Sequence, residues 1–204
     1  MFKTLGSAFK NRELRKSMII TVCLLLVYRL GCFLPTPGLD ASLFESAVSA
    51  DSSGVLSLLN SITGSALANA SVLALGVTPY INASIIVQLL AVAIPPLERL
   101  SKEGDEGRNK LNMITKIVAL VLALAQGLGI VLGLGGEYVQ PIFGEKLKWL
   151  TSSIIILVMM AGTCFTMWLG DKITEQGVGN GLSLIIFVGI IGTAAQSILN
   201  AIKN

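Results

Sequence analysis

Five stretches of this chain, at about 17–34, 72–94, 113–134, 149–170 and 182–202, run close to 20 residues with little charge. At about 1.5 Å of rise per residue, each is long enough to cross a hydrocarbon core roughly 30 Å thick as a helix. In lipid every backbone polar group must be satisfied internally, so repeated runs of this kind leave little choice but a helical bundle. The expectation is an all-α, polytopic membrane protein with five transmembrane helices. Composition agrees, with 53% hydrophobic and 13% charged residues and a mean hydropathy of +0.77.

A basic start before an apolar run also fits a secretory signal peptide. Arg29, Pro35 and Pro37 follow where a small-residue cleavage site would stand, so the first run is read as a retained span. Lys3, Lys10, Arg12, Arg15 and Lys16 precede it against Glu13 alone, and the next connection holds Asp40, Glu45 and Asp51 with no basic residue. That bias puts the amino terminus in the cytoplasm. Arg99, Lys102, Arg108 and Lys110 after the second span, and Lys172 after the fourth, fit the same side. Between the third and fourth spans the evidence is weaker, because Lys146 and Lys148 oppose Glu137 and Glu145. The net charge of +3 gathers at span ends, which argues against a nucleic-acid face.

The connection at about 35–71 is the least ordinary. After the "PTPGLD" turn comes "SSGVLSLLNSITGSALANAS", apolar near helical spacing but too short and too polar to span. One reading is an amphipathic segment on the membrane surface; the other is a short helix folded back into the protein. Surface helices usually carry a basic face, and this segment has no charge after Asp51, which favours the folded-back reading.

The second span holds Pro79, Asn82, Ser84 and Gln88. Proline removes a backbone donor, so the helix is expected to bend or open at Pro79. Asn82 and Ser84 lie about 200° apart around a helix, so this span must meet protein or water on more than one side. Taken singly, such residues most often form interhelical hydrogen bonds and nothing more. Gln126, beside Gly127, Gly129 and Gly133 in the third span, fits a plain packing seam.

Little else in the sequence offers chemistry. With no histidine and no CxxC spacing, Cys23, Cys32 and Cys164 read as packing residues, and no catalytic, metal or cofactor site is expected. No Asp or Glu lies mid-span, which weighs against proton-coupled transport. "NAS" at Asn69 and Asn82 is too short to carry meaning, and "GVGNG", 177–181, lacks a Walker lysine and reads as a flexible turn.

Two segments, "ALGVTPYINASIIVQLL" (74–90) and "MWLGDKITEQGVGNGLSLIIF" (167–187), closely resemble the signature segments of the SecY protein-conducting channel family. The "FLPTPGLD" turn and the "SKEGDEGRNK" loop match in order, so the resemblance covers nearly the whole chain. It implies a ten-helix channel of two inverted halves, through which unfolded secretory proteins cross and membrane segments leave sideways. This sequence resembles the first half, spans one to five.

The resemblance further implies that about 54–70 is a re-entrant plug helix. Val77, Ile81 and Ile186 match the family's apolar pore ring, with Val77 and Ile81 one helical turn apart. Asn82 and Gln126 match lateral-gate positions whose partners lie in the other half. The implied partners are SecE, SecG, the motor SecA and the ribosome, together with secretory preproteins, their signal sequences and membrane lipids. The implied location is the bacterial cytoplasmic membrane. The expectation is an amino-terminal half that acts with its complement. A half-length channel that pairs with itself is disfavoured by the charge bias, and a small inverted-repeat transporter by the lack of intramembrane carboxylates.

Overall fold

The structure, a computed structural model, describes residues 12–50, 54–133 and 148–203. Lys3, Lys10 and Asp51, and the connection holding Glu137, Glu145 and Lys146, lie outside the described residues. Every regular element among the described residues is a helix: α1 (Arg12–Gly31), α2 (Ala41–Ala50), α3 (Val55–Ile62), α4 (Thr78–Ala93), α5 (Pro95–Lys102), α6 (Asp105–Gly133), α7 (Lys148–Gln176) and α8 (Gly181–Lys203). An isolated antiparallel bridge joins Pro35 to Ser71.

Among the described residues, two helices are long and apolar enough to cross a membrane, Glu106–Leu132 and Lys148–Gln176. The pair α4 and α5, bent by 104°, makes a third if taken as one span. α8 contributes a shorter apolar stretch, Gly181–Ala195. α1 keeps Arg15, Lys16 and Arg29 within its 20 residues.

The bend does not fall at Pro79. The stretch 72–77 is a series of turns, and α4 begins only at Thr78, so Pro79 occupies the first helical turn, where its missing N–H breaks no helical bond. The helix breaks instead at Ile94, which is extended (φ −111°, ψ 113°) because Pro95 disfavours a helical residue before it. α5 then runs off at a steep angle along the α4–α6 connection.

α2 lies within the stretch expected to be an irregular connection. Its cue was Asp40, whose carboxylate accepts hydrogen bonds from the Ser42 N–H (3.0 Å) and hydroxyl (2.6 Å) at the start of the helix. The "GVGNG" turn is not loose. The Val178 N–H donates to Thr21 Oγ1 of α1 (3.1 Å), the Gly181 N–H to Thr174 Oγ1 (2.9 Å), and Asn180 Oδ1 receives the Leu182 N–H (3.1 Å).

The helices pack in the order α4, α6, α7, with α1 and α8 on the far side of α7 and α3 against α8. Apolar side chains gain little by leaving lipid for protein, so close approach and hydrogen bonds decide these contacts. Gly162 is one of the tight points: a Cβ there would overlap the Val72 carbonyl, so only glycine lets α7 pass under the turn that leads into α4. Gly127 likewise meets Ile156 of α7, at 3.4 Å from a built Cβ, whereas Gly129 has nothing within 4 Å, so the two do not form one seam. Of the cysteines, Cys32 is buried while Cys23 and Cys164 are exposed on the outer faces, so packing accounts for one of the three.

Candidate functional site

The turns from Thr63 to Val77 form a largely buried stretch of chain. Thr63, Gly64, Ala66, Leu67 and Ala70 of the segment after α3 are buried, as are Leu73 to Val77 before α4. Two backbone bonds pin the base of this segment to the turn that follows α1, Thr36 N–H to Ala70 O and Val72 N–H to Leu34 O, both 2.9 Å.

Val77 is the cap of α4, and the Ile81 N–H donates to its carbonyl (3.1 Å), so the two side chains stand one turn apart. Val77 belongs to an apolar cluster with Ala66, Leu73 and Ile185, against which Ile81 and Ile186 pack half-buried. The structure thus places Val77, Ile81 and Ile186, from two regions far apart in sequence, as aliphatic members in or against one apolar cluster that includes Ala66 of the folded-back segment. Nothing in it is charged. Such a group gives water no hydrogen-bonding surface.

Next to Val77, at Thr78, opens a cavity of about 400 Å³, lined by apolar residues of α2, α3, α6 and the turns between α3 and α4, and by the polar Thr63, Thr78, Asn82 and Gln126. Asn82 is exposed and Gln126 half-buried. Neither amide has a hydrogen-bond partner among the described residues. Two unpartnered amides on one apolar cavity can receive a polar group from a further helix or a ligand.

Ser84 and Gln88, the other polar residues of this helix, face away. Gln88 Nε2 donates to Ser84 Oγ (3.1 Å), and both line a second cleft of about 610 Å³ with Glu98, Lys102, Arg108 and Asn112. There Lys102 sits 2.5 Å from Glu98 and holds its carboxyl below the usual carboxylate range. The angular argument from Asn82 and Ser84 therefore holds, because the helix has a cavity on one side and a cleft on the other.

Two charged contacts escaped the sequence reading. Lys116, four residues into the third apolar run, reaches Asp171 of α7 at 2.5 Å. Arg29, noted there only as a flank, donates Nη1–H to the Gly64 carbonyl at 2.8 Å. Each was visible as a charge inside an apolar run; neither partner was, being 55 and 35 residues away.

The SecY family model matches residues 71–204. The protein translocase subunit SecY of Buchnera aphidicola subsp. Schizaphis graminum is 41% identical over 211 residues, covering 100% of this chain and 48% of that relative. The same subunit from Escherichia coli K12 is 39% identical over 94% of this chain and 43% of its own length. That of Bacillus subtilis 168 is 41% identical over 97% and 45%. The chain thus spans about half the length of the curated relatives it matches. Among solved structures, Sec61 in the canine ribosome-channel complex from the endoplasmic reticulum superposes with a TM-score of 0.60 at 17% identity, over 88% of this chain and 37% of that one. At that identity the likeness is one of fold. The helices, the buried turns between α3 and α4, and the match from Ser71 onward lead to one conclusion: the chain belongs to the SecY family.

Proposed function

We propose that this chain is the amino-terminal portion of the central subunit of a protein-translocation channel, and that it works with a complementary carboxy-terminal half. The observation that carries the reading is the meeting of Val77, Ile81 and Ile186 in or against one apolar cluster that includes Ala66 of the folded-back segment. In the complete channel these residues form half of a collar. A narrow apolar collar dewets and blocks ions at rest, yet it widens around a polypeptide without binding it strongly. No bond is made or broken, and SecY is a channel family rather than an enzyme family.

The other parts follow. The segment 54–70 is the plug, resting against the collar through Ala66. Asn82 and Gln126 form one side of a lateral exit, their free amides awaiting helices of the other half and the signal sequence that parts them. All five apolar runs cross the bilayer, α1 and α8 included, with the amino terminus in the bacterial cytoplasm as the basic residues before the first span direct. SecE and SecG complete the membrane complex, while SecA and the ribosome dock chiefly on loops of the other half.

Complementation in two pieces tests the reading. Coexpressed with spans six to ten of a SecY channel in cells depleted of their own, this chain restores export of a secreted reporter. No export, with both pieces stably inserted in the membrane, would overturn the proposal.

A further inference from the structure

Arg29 is a fixed positive charge in the last turn of an otherwise apolar stretch of α1. An intramembrane ionisable residue is rare and needs a reason. Among the described residues no carboxylate lies within 4 Å of its guanidinium. What surrounds it is the end of helix α3. Nη1 donates to the Gly64 carbonyl (2.8 Å), and the ring of Phe33 lies 6.0 Å from Cζ. One residue before Arg29 in α1, the Tyr28 hydroxyl donates to the Thr63 carbonyl (3.4 Å), and the Cys32 thiol lies 3.8 Å from the same oxygen.

α8 closes the other side with two glycines three residues apart. A Cβ on Gly189 would come within 2.6 Å of the Ile62 carbonyl, and a Cβ on Gly192 would overlap the Arg29 guanidinium. A Cβ on Gly64, itself at φ +70°, would overlap Nη1. The guanidinium therefore lies between α8 and the turn that ends α3, in a slot that a side chain at Gly192 would fill, while Gly189 lets α8 approach the Ile62 carbonyl. A helix ends in unsatisfied carbonyls with partial negative charge, and a cation among them is favourable.

We propose that Arg29 is the positioning residue that clasps the folded-back segment shut, through the Gly64 carbonyl just past the end of α3 and against the glycine face of α8. The proposal rests on reading 54–70 as the plug, and adds what holds it. The described part of the segment offers only carbonyls, small apolar side chains and a few neutral polar ones, so releasing it separates no ion pair. Its base stays hinged to the turn that follows α1 by the backbone bonds at Ala70 and Val72. One charge-assisted hydrogen bond near the tip, strong but singular, makes the closed position specific and still reversible.

Cys32 reports on the clasp, because it is buried directly under Thr63. With Cys23 and Cys164 changed to alanine, the chain is coexpressed with spans six to ten and treated with a water-soluble maleimide. Removing one charge-assisted bond in Arg29→Gln is expected to raise the labelling rate of Cys32 about tenfold. Arg29→Lys, which keeps a cation able to reach one carbonyl, stays near the reference rate. Gly192→Ala, which leaves Arg29 in place but crowds its slot, rises as Arg29→Gln does.

Labelling of Arg29→Gln at the reference rate overturns the clasp. Equal labelling of Arg29→Lys and Arg29→Gln does so too, since side-chain shape and not charge would then be holding the segment. If Arg29→Gln does not accumulate, Gly192→Ala decides by the same rates. The readout is independent of transport. Export with unchanged labelling removes the clasp alone, whereas a tenfold rise without export keeps the clasp and removes the channel reading.

Discussion

Ile81→Asn raises the resting ion conductance of the reconstituted channel about tenfold or more, while export of a secreted reporter continues. In the proposed channel, a collar of these side chains would block ions because an aliphatic wall offers water nothing, and a hydrated ion would have to shed its shell to enter. Ile81 packs half-buried in that cluster, one turn from Val77. An amide there supplies a donor and an acceptor at the narrowest place. Lowering the barrier by only about 1.4 kcal/mol is a factor of ten in rate, and a single hydrogen bond is worth roughly that much. Ile81→Leu keeps the wall apolar and leaves conductance near the reference. Planar-bilayer recording in the absence of preprotein makes the measurement, and equal conductance of the asparagine and leucine channels would remove Ile81 from the gate.

Gly162→Val prevents the chain from reaching its folded form. The Cα of Gly162 lies against the Val72 carbonyl, and a single added carbon would already overlap that oxygen. The clash is with backbone, and with backbone that is itself committed: the Val72 N–H is bonded to Leu34 and leads into α4. No rotamer change can relieve it. Overpacking a well-filled interior costs about 1–3 kcal/mol when side chains can shift, and here the whole turn must move. The expected result is loss of the thermal transition in detergent together with proteolytic removal in cells, while Gly129→Ala, which has open space, melts as the parent does. A Gly162→Val protein with the parent's melting temperature would show that α7 and the 72–77 turn are farther apart than described.

The sequence made some of this legible for clear reasons. The third and fourth apolar runs stood out because each is long and nearly free of charge, Lys116 apart, and α6 and α7 follow them closely. Asn82 and Ser84 could be assigned to opposite sides from helical geometry alone. The start of α4 was hidden, because 72–77 is as apolar as the helix it precedes. Contacts with Leu34 and with Gly162 help to hold it in turns, a tertiary effect that overrides local preference. Pro79 misled for a related reason, since a proline breaks a helix mid-way but suits its first turn, and the sequence does not say which position it holds. The true break was spelled by Pro95 and Pro96.

The site divides in the same way. Its polar members announced themselves by standing in an apolar run, and the collar residues came from resemblance, since aliphatic side chains in an aliphatic span carry no local mark. Arg29 and Lys116 were visible as charges out of place, but their partners, a carbonyl and a carboxylate on distant elements, exist only once the chain is folded.

If the proposed channel works as described, a translocating polypeptide passes through the group formed by Val77, Ile81 and Ile186. Photo-crosslinking from those positions tests it most directly. A photoreactive residue is placed at position 81 or 186 of this chain, coexpressed with its complementary half, and a secretory protein is arrested midway through export. Adducts to the arrested protein are predicted at both positions and not at Leu157, on the exposed face of α7. Adducts at Leu157 as strong as those at 81 and 186, or none at 81 and 186 while export proceeds, would contradict the account.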